Sequence, residues 1–140
     1  MVLAASNCPW DLDPAMRRRL EKRIYIPLPN YEARVSLLEL LLRSIAVDTE
    51  VSIPKLAEIS EGYSGSDLHV ACRDAAMMPM RRLLEDFPPE LLTSMQANGN
   101  LEIPSLTMDD FYQAFANTKP SVSAQSISRY LAWEQEFSNK

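Results

Sequence analysis

The chain has 140 residues, 46% hydrophobic and 24% charged, with a formal net charge of −5. That is enough apolar material for one ordinary domain, or a small domain with pieces of another, and the acidic balance argues against a general nucleic-acid binder. Cys8, Cys72 and the lone His69 cannot close a zinc site by themselves, no run is long and apolar enough to span a membrane, and no signal-peptide pattern is present. Reduced thiols in an intracellular compartment are the simplest reading of the cysteines.

The first stretch reads VLAASN-CPWDLDPAMRRRLEKR-IYIPLP. Residues 2–5 are suited to a buried strand, with Asn7 just past its end. Asp13 can accept from the free N–H groups of a helix start, Pro14 fits the first turn, and residues 15–20 continue the helix. Arg17, Arg18, Arg19, Lys22 and Arg23 then crowd positive charge into a short span, which calls for an anion nearby. Taken alone, such a run is most often a solvated basic helix or a nuclear-import patch. The strand, Asn, turn and helix around it reverse that reading. Residues 24–28 form a second expected strand, which Pro27 and Pro29 end. A chain that starts inside an apolar strand is expected to be a piece of a longer protein.

Helices dominate from there. Asn30 can cap a helix over about 31–44, whose apolar set (Val35, Leu37, Leu38, Leu40, Leu41, Leu42 and Ile45) is too broad for one stripe and predicts protein on two sides. A short helix over about 53–60 ends at Gly62. Ser64 or Ser66 opens a long helix to about residue 85, with Leu68, Cys72, Ala75, Ala76, Met80 and Leu83 at core spacing. Pro79 inside it predicts a bend. Met77, Met78 and Met80 read as core filling or flank rather than a ligand box. Residues 87–106 are irregular, with a helical piece over 90–95 and Asn98-Gly99-Asn100 as a turn. Thr107 with Asp110 makes a capping box for a helix over 108–117 that buries Phe111, Ala114 and Phe115. Lys119-Pro120 breaks it, and Ser123 caps a last helix to about residue 137 carrying Ile127, Tyr130, Leu131, Trp133 and Phe137.

LAASN-CPW, RRLEKRI, GYSGSD, CRDAAMMPMRR and TKPSVSAQSISRYLAWEQEF together resemble the AAA ATPases, and within them the branch holding katanin, spastin, fidgetin and the ESCRT-III disassembly ATPase. The resemblance covers essentially the whole chain. Pro79 and the stretch 118–121 look most like the A-like, type-2-like katanins. The β insertion of the ESCRT-III relative has no room in 87–106. Leu20 stands where many relatives carry Phe, a change that preserves packing. The fold this implies is mainly α: the C-terminal helical lid of an AAA+ ATPase, preceded by two strands and a short helix from the end of the α/β large domain. Residues 1–29 would be that large-domain remnant, 30–119 the small helical lid, and 120–140 the C-terminal helix of the branch, packing back towards the large domain and the next subunit.

By the same resemblance Asn7 is the sensor-1 residue, which helps place the γ-phosphate and the attacking water. Arg18 and Arg19 fall on the paired arginine fingers that reach a neighbouring subunit's ATP. A fixed guanidinium fork suits that task, because phosphoryl transfer is mostly positioning and charge stabilisation. The 64–67 stretch Ser-Gly-Ser-Asp resembles the sensor-2 loop, where Gly65 and Ser66 approach base and ribose; an ordinary N-cap is the equal alternative. Gly65 lacks a Cβ and permits a close approach.

The absences are as informative. None of Gly62, Gly65 and Gly99 begins a Gly-x4-Gly-Lys-Ser/Thr loop, no apolar strand ends in Asp-Glu, and pore loops are missing. The chain alone is therefore expected to be inactive and to bind no nucleotide tightly, with no metal ligands of its own. The parent implied is a hexameric, ATP- and Mg2+-dependent microtubule-severing ATPase of the cytoplasm and cytoskeleton. Its partners would be its own copies, tubulin tails and a katanin regulatory subunit, with neither nucleic acid nor membrane insertion. The alternatives are a non-catalytic helical interaction module or regulatory isoform, and a branch member remodelling ESCRT-III-type filaments. In the AAA sheet the two strands are separated by the strand that leads into the phosphate loop. Without it, residues 1–28 are expected to stay loose while the helices from Tyr31 onward fold.

Overall fold

The computed structural model describes residues 3–20, 22–99 and 101–138, the last two by backbone alone. Met1, Val2 of the first expected strand, Asn100 of the expected turn and the Phe137 side chain lie outside the described residues. The chain divides into two units, Leu28–Val122 and a second built from Met1–Pro27 with Ser123–Lys140.

Unit Leu28–Val122 is a stack of helices around one apolar core. The Asn30 side chain accepts from Ala33 N at 2.9 Å and starts α2 (Tyr31–Leu42); the shorter helix α1 (Pro14–Arg19) of the other unit precedes it in the chain. The inward stripe of α2 is Arg34, Leu38 and Leu42, at the helical spacing of four. The breadth of its apolar set is explained by packing against both α3 (Ile53–Ile59) and α4 (Gly65–Asp86), although Leu40 stays 60% exposed. Ser52 caps α3, Pro54 sits in its first turn, and Gly62 at φ +80° turns the chain towards Tyr63.

The 22-residue α4 runs to Asp86 with Pro79 buried inside it. Its buried face is Leu68, Ala71, Cys72, Ala75, Pro79 and Leu83. Ala76 and Met80, expected inside, are half-buried; the face is turned towards Ala71 and Pro79. Small residues at Ala71 and Ala75 suit the close packing of α6 (Met108–Asn117), which brings Phe111, Ala114 and Phe115 into the same core. Between them α5 (Pro89–Ala97) extends the short helical piece expected at 90–95, and Gly99 at φ +69° follows it. A parallel bridge pairs Val47 with Leu106, through Leu106 N to Ala46 O and Asp48 N to Leu106 O, both 2.9 Å.

The second unit contains a 3-10 turn (Pro9–Asp11), the six-residue α1 and α7 (Ala124–Ser138). Ser123 caps α7 by accepting from Ser126 N at 3.1 Å. The strands expected at 2–5 and 24–28 do not form among the described residues. Ile24 and Ile26 are each 84% exposed. Strand conformation is sustained by ladder partners, and neither segment has one among the described residues.

Candidate functional site

Two groups of residues carry the expected chemistry, one in each unit. In the first, Asp13 accepts from Ala15 N at 2.7 Å and from Met16 N at 3.3 Å, and with Pro14 at the first position this fixes the start of α1. So short a helix puts Arg17, Arg18 and Arg19 together in its last turn, where the dipole favours cations. Arg17 is half-buried, and its backbone carbonyl accepts from Arg23 Nη2 at 2.7 Å. Arg18 and Arg19 are exposed and have no ion-pair partner among the described residues. The pair thus follows an anchored Arg17 in the last turn of α1, with its own side chains exposed.

Asn7, in the same unit, is exposed as well. Its backbone carbonyl accepts a hydrogen bond from the Tyr130 hydroxyl of α7. Around that contact Tyr130 lies 5.0 Å from the Trp10 ring and 5.8 Å from Tyr25, and Arg129 sits 3.8 Å from the Trp10 centroid. Arg23 lies 5.9 Å from the centroid of Trp133. Cation–π and aromatic pairs of this kind contribute about 0.5–1.5 kcal/mol each. They join α7 to the segment that carries Asn7, Arg18 and Arg19.

The second group is the start of α4. Ser64 Oγ accepts from Asp67 N at 3.2 Å, while Asp67 Oδ2 accepts from Ser64 N at 2.9 Å, so both halves of a capping box are present. Ser121 N also donates to Asp67 Oδ2, at 3.2 Å. Burial pushes the Asp67 carboxyl up, but the donors from Ser64 and Ser121 outweigh it and hold the group below its ordinary value. Behind it the Tyr63 hydroxyl donates to the Thr118 carbonyl, with Phe115 O at 3.1 Å. This buttress presents Gly65 half-buried and Ser66 exposed at the tip of the helix. A Cβ added to Gly65 would meet Leu37 Cδ2 at 3.5 Å, ordinary van der Waals contact, and its φ is not left-handed. Neither its backbone conformation nor the space around it therefore requires glycine there.

Arg34 was not legible as a site residue. It is 7% exposed, with Nε donating to Ala57 O and Nη1 to Pro29 O, each at 3.0 Å, so it fastens the linker at Pro29 to the end of α3. Its signal was its register: four and eight residues before the buried Leu38 and Leu42. The pairing of Arg82 with Asp110, and the aromatic cluster around Tyr130, left no mark in local sequence because their partners are far apart along the chain. Burial pushes the Cys72 thiol up to about 11, so it stays protonated, whereas Cys8 is exposed. No group of three or more His, Cys, Asp or Glu able to hold a metal ion exists among the described residues. No helix among them is long and apolar enough to cross a membrane.

Residues 50–88 match the AAA+ lid domain family, and residues 80–137 match the Vps4 C terminal oligomerisation domain. The ATPase-containing katanin p60 A-like 1 protein of Danio rerio is 47% identical over 137 residues, 98% of this chain and 28% of its own length. The Homo sapiens protein of that name is 45% identical with the same coverage. The chain therefore spans 28% of the length of these curated relatives. Among solved structures, the FIGL-1 AAA domain in complex with ADP superposes with a TM-score of 0.76 at 32% identity, covering 93% of this chain and 42% of that one. A katanin structure concerned with self-assembly gives a TM-score of 0.76 at 35% identity, covering 89% and 43%.

The helical stack is thus an AAA+ lid, continued by a Vps4-type C-terminal element. More narrowly, the chain belongs to the katanin-like AAA ATPases and corresponds to their lid and C-terminal region.

Proposed function

We propose that these residues supply the sensor-1, arginine-finger and lid portion of a ring-forming, ATP-driven microtubule-severing enzyme. The observation that carries the reading is the 45–47% identity to katanin p60 A-like 1 proteins over 98% of the chain. In this reading residues 1–29 belong to the large AAA domain, 30–119 to the lid and 120–140 to the C-terminal helix. The full-length protein is then a homo-hexamer of the cytoskeleton, acting on tubulin tails with a katanin regulatory subunit.

Charge develops on the γ-phosphoryl oxygens as it is transferred, so exposed guanidinium forks held at the end of a fixed helix suit its stabilisation. Arg18 and Arg19 do this for the ATP of the adjacent subunit. Asn7 orients the γ-phosphate and the attacking water with its side-chain amide. Gly65 and Ser66 lie along base and ribose, and the absence of a Cβ at Gly65 leaves that approach open. The residues described offer cations and small backbone contacts for ATP, and in this proposal Mg2+ is held by other parts of the protein.

The test is ATP turnover and binding by the full-length protein. Arg18→Ala or Arg19→Ala should lower kcat about 10³-fold or more while nucleotide affinity holds. Mixing such a variant with a protomer disabled in its phosphate loop should restore part of the turnover, because each supplies what the other lacks. Near-normal ATPase in either Arg variant removes the finger assignment. Intact microtubules under an ATP-hydrolysing ring, viewed by fluorescence, would remove the severing assignment alone.

A further inference from the structure

Asn7 is exposed at its side chain, yet its backbone is held from several directions. Cys8 N donates to Ser6 Oγ at 3.0 Å and Asp11 N donates to Cys8 O at 3.1 Å. A further polar group of this short turn, the Asn7 carbonyl, accepts from the Tyr130 hydroxyl. Tyr130 is itself fixed, with Trp10 at 5.0 Å on one contact and Tyr25 nearly parallel at 5.8 Å on another. Arg129 covers Trp10 at 3.8 Å, so consecutive residues of α7 engage the turn that follows Asn7. A phenol in a pure packing role needs only its ring; here the hydroxyl reaches the one peptide plane that leaves the Asn7 Cα.

We propose that Tyr130 is a positioning residue for Asn7: its O–H sets the Asn7–Cys8 peptide plane and thereby the direction in which the Asn7 amide projects. The inference rests on the sensor reading of Asn7 given above. Tyr130 touches no phosphate and no water of the reaction; it acts through the backbone of the residue that does. Because Tyr130 lies within the segment matched to the Vps4 C terminal oligomerisation domain, the contact ties the orientation of a sensor to the seating of α7. A protomer whose α7 is displaced would keep its nucleotide but lose the alignment of Asn7, and turnover would follow the seating of the C-terminal helix.

The experiment compares Tyr130→Phe, Tyr130→Ala and Asn7→Ala in the full-length ATPase, with kcat, KM for ATP and ring assembly measured on each. Tyr130→Phe keeps the ring stack and removes only the hydroxyl. It should lower kcat about tenfold, with KM changed less than about twofold and assembly retained, since misplacing a reacting group costs rate rather than binding. Tyr130→Ala should lower kcat further and weaken assembly. Asn7→Ala should abolish turnover. If Asn7→Ala is inactive while Tyr130→Phe turns over normally, or Tyr130→Phe lowers Tm alone, the positioning role is overturned and the sensor reading stands. If Asn7→Ala turns over normally, both fall. In the 140-residue chain itself, the carbonyl carbon resonance of Asn7 should move in Tyr130→Phe as it loses its donor. An unchanged resonance overturns the contact directly.

Discussion

Asp110 is 1% exposed, and its carboxylate receives both terminal nitrogens of Arg82, the second at 3.2 Å from Oδ2. Thr107 N and Oγ1 each donate to the same Oδ2 at 2.9 Å, so one buried carboxylate closes the α6 capping box and joins it to α4. Burial pushes the Asp110 carboxyl up, but Arg82 and Thr107 outweigh it and hold it below its ordinary value of 3.8. A carboxyl depressed on folding adds stability above its unfolded value and loses it as pH falls through the folded one. Asp67 shifts in the same direction.

Unit Leu28–Val122 should therefore lose stability progressively below about pH 4. Arg82→Met should move the midpoint of acid unfolding upward, because Asp110 keeps its burial and its Thr107 donors but loses its cation. Asp110→Ala should cost about 2 kcal/mol near neutral pH, below the usual range for a broken buried pair because the Arg82 side chain is half-exposed and can be rehydrated. Urea unfolding as a function of pH checks both. An unchanged acid midpoint in Arg82→Met would sink the account.

Arg34 gives a second stability prediction. Its guanidinium satisfies two carbonyls, Pro29 O and Ala57 O, inside a helix stripe that is otherwise apolar. Arg34→Met keeps the stem but leaves the Ala57 carbonyl at the end of α3 without that donor. The expected loss is about 2–3 kcal/mol. Arg34→Lys should recover less than half, since one ammonium cannot reproduce the planar fork that meets two separated oxygens. Chemical denaturation of the chain reads this directly; equal stability of Lys and Arg would show that charge alone matters.

The caps and the α4 and α6 periodicity were legible because they are local. Asn30, Ser64, the Thr107–Asp110 pair and Ser123 each act on N–H groups within three residues. Asn7, Arg18, Arg19, Gly65 and Ser66 were found through a resemblance, and their roles remain those of the proposal. What local sequence did not show depends on distance along the chain. Tyr130 meets Asn7 across 123 residues, Tyr63 meets Thr118 across 55, and Arg82 meets Asp110 across 28. The strands at 2–5 and 24–28 are absent among the described residues for the converse reason: their β-branched and aromatic residues fit a sheet, but conformation follows ladder partners that the described residues do not supply.

Two glycines separate a structural constraint, at Gly62, from the nucleotide contact that the proposed function gives Gly65. Gly62 at φ +80° is in the left-handed region, so Gly62→Ala should cost about 1 kcal/mol through backbone strain even though a Cβ there meets nothing within 4 Å. Gly65 has no such φ and would meet only ordinary contact, so Gly65→Ala should leave the lid as stable or up to about 0.5 kcal/mol more stable, by lowering the entropy of the unfolded chain. In the full-length protein the same Gly65→Ala change should weaken nucleotide binding. Thermal unfolding of the chain and ADP titration of the full-length protein provide the two readings. A destabilised lid would return Gly65 to a purely structural role.

The extended segments of the second unit supply the last prediction. Ile24 and Ile26 point apolar side chains at solvent with 84% exposure, and no described backbone partner pairs the amides of 24–28. Leu38 and Leu68, by contrast, sit at the centre of the helical core. Amide exchange depends on opening, and amides without an internal acceptor need no opening at all. Amides of 24–26 should therefore exchange rapidly in the chain as it stands, while those of 37–42 and 68–83 exchange only through unfolding of the lid. In the full-length ATPase of the proposed function, where a complete sheet would pair the same residues, the amides of 24–26 should become protected. Mass-resolved hydrogen exchange on both proteins decides it. Strong protection of 24–26 in the monomeric 140-residue chain would show that these residues already have partners. Absence of protection in the full-length ring would show that residues 24–28 are no strand of a large AAA domain.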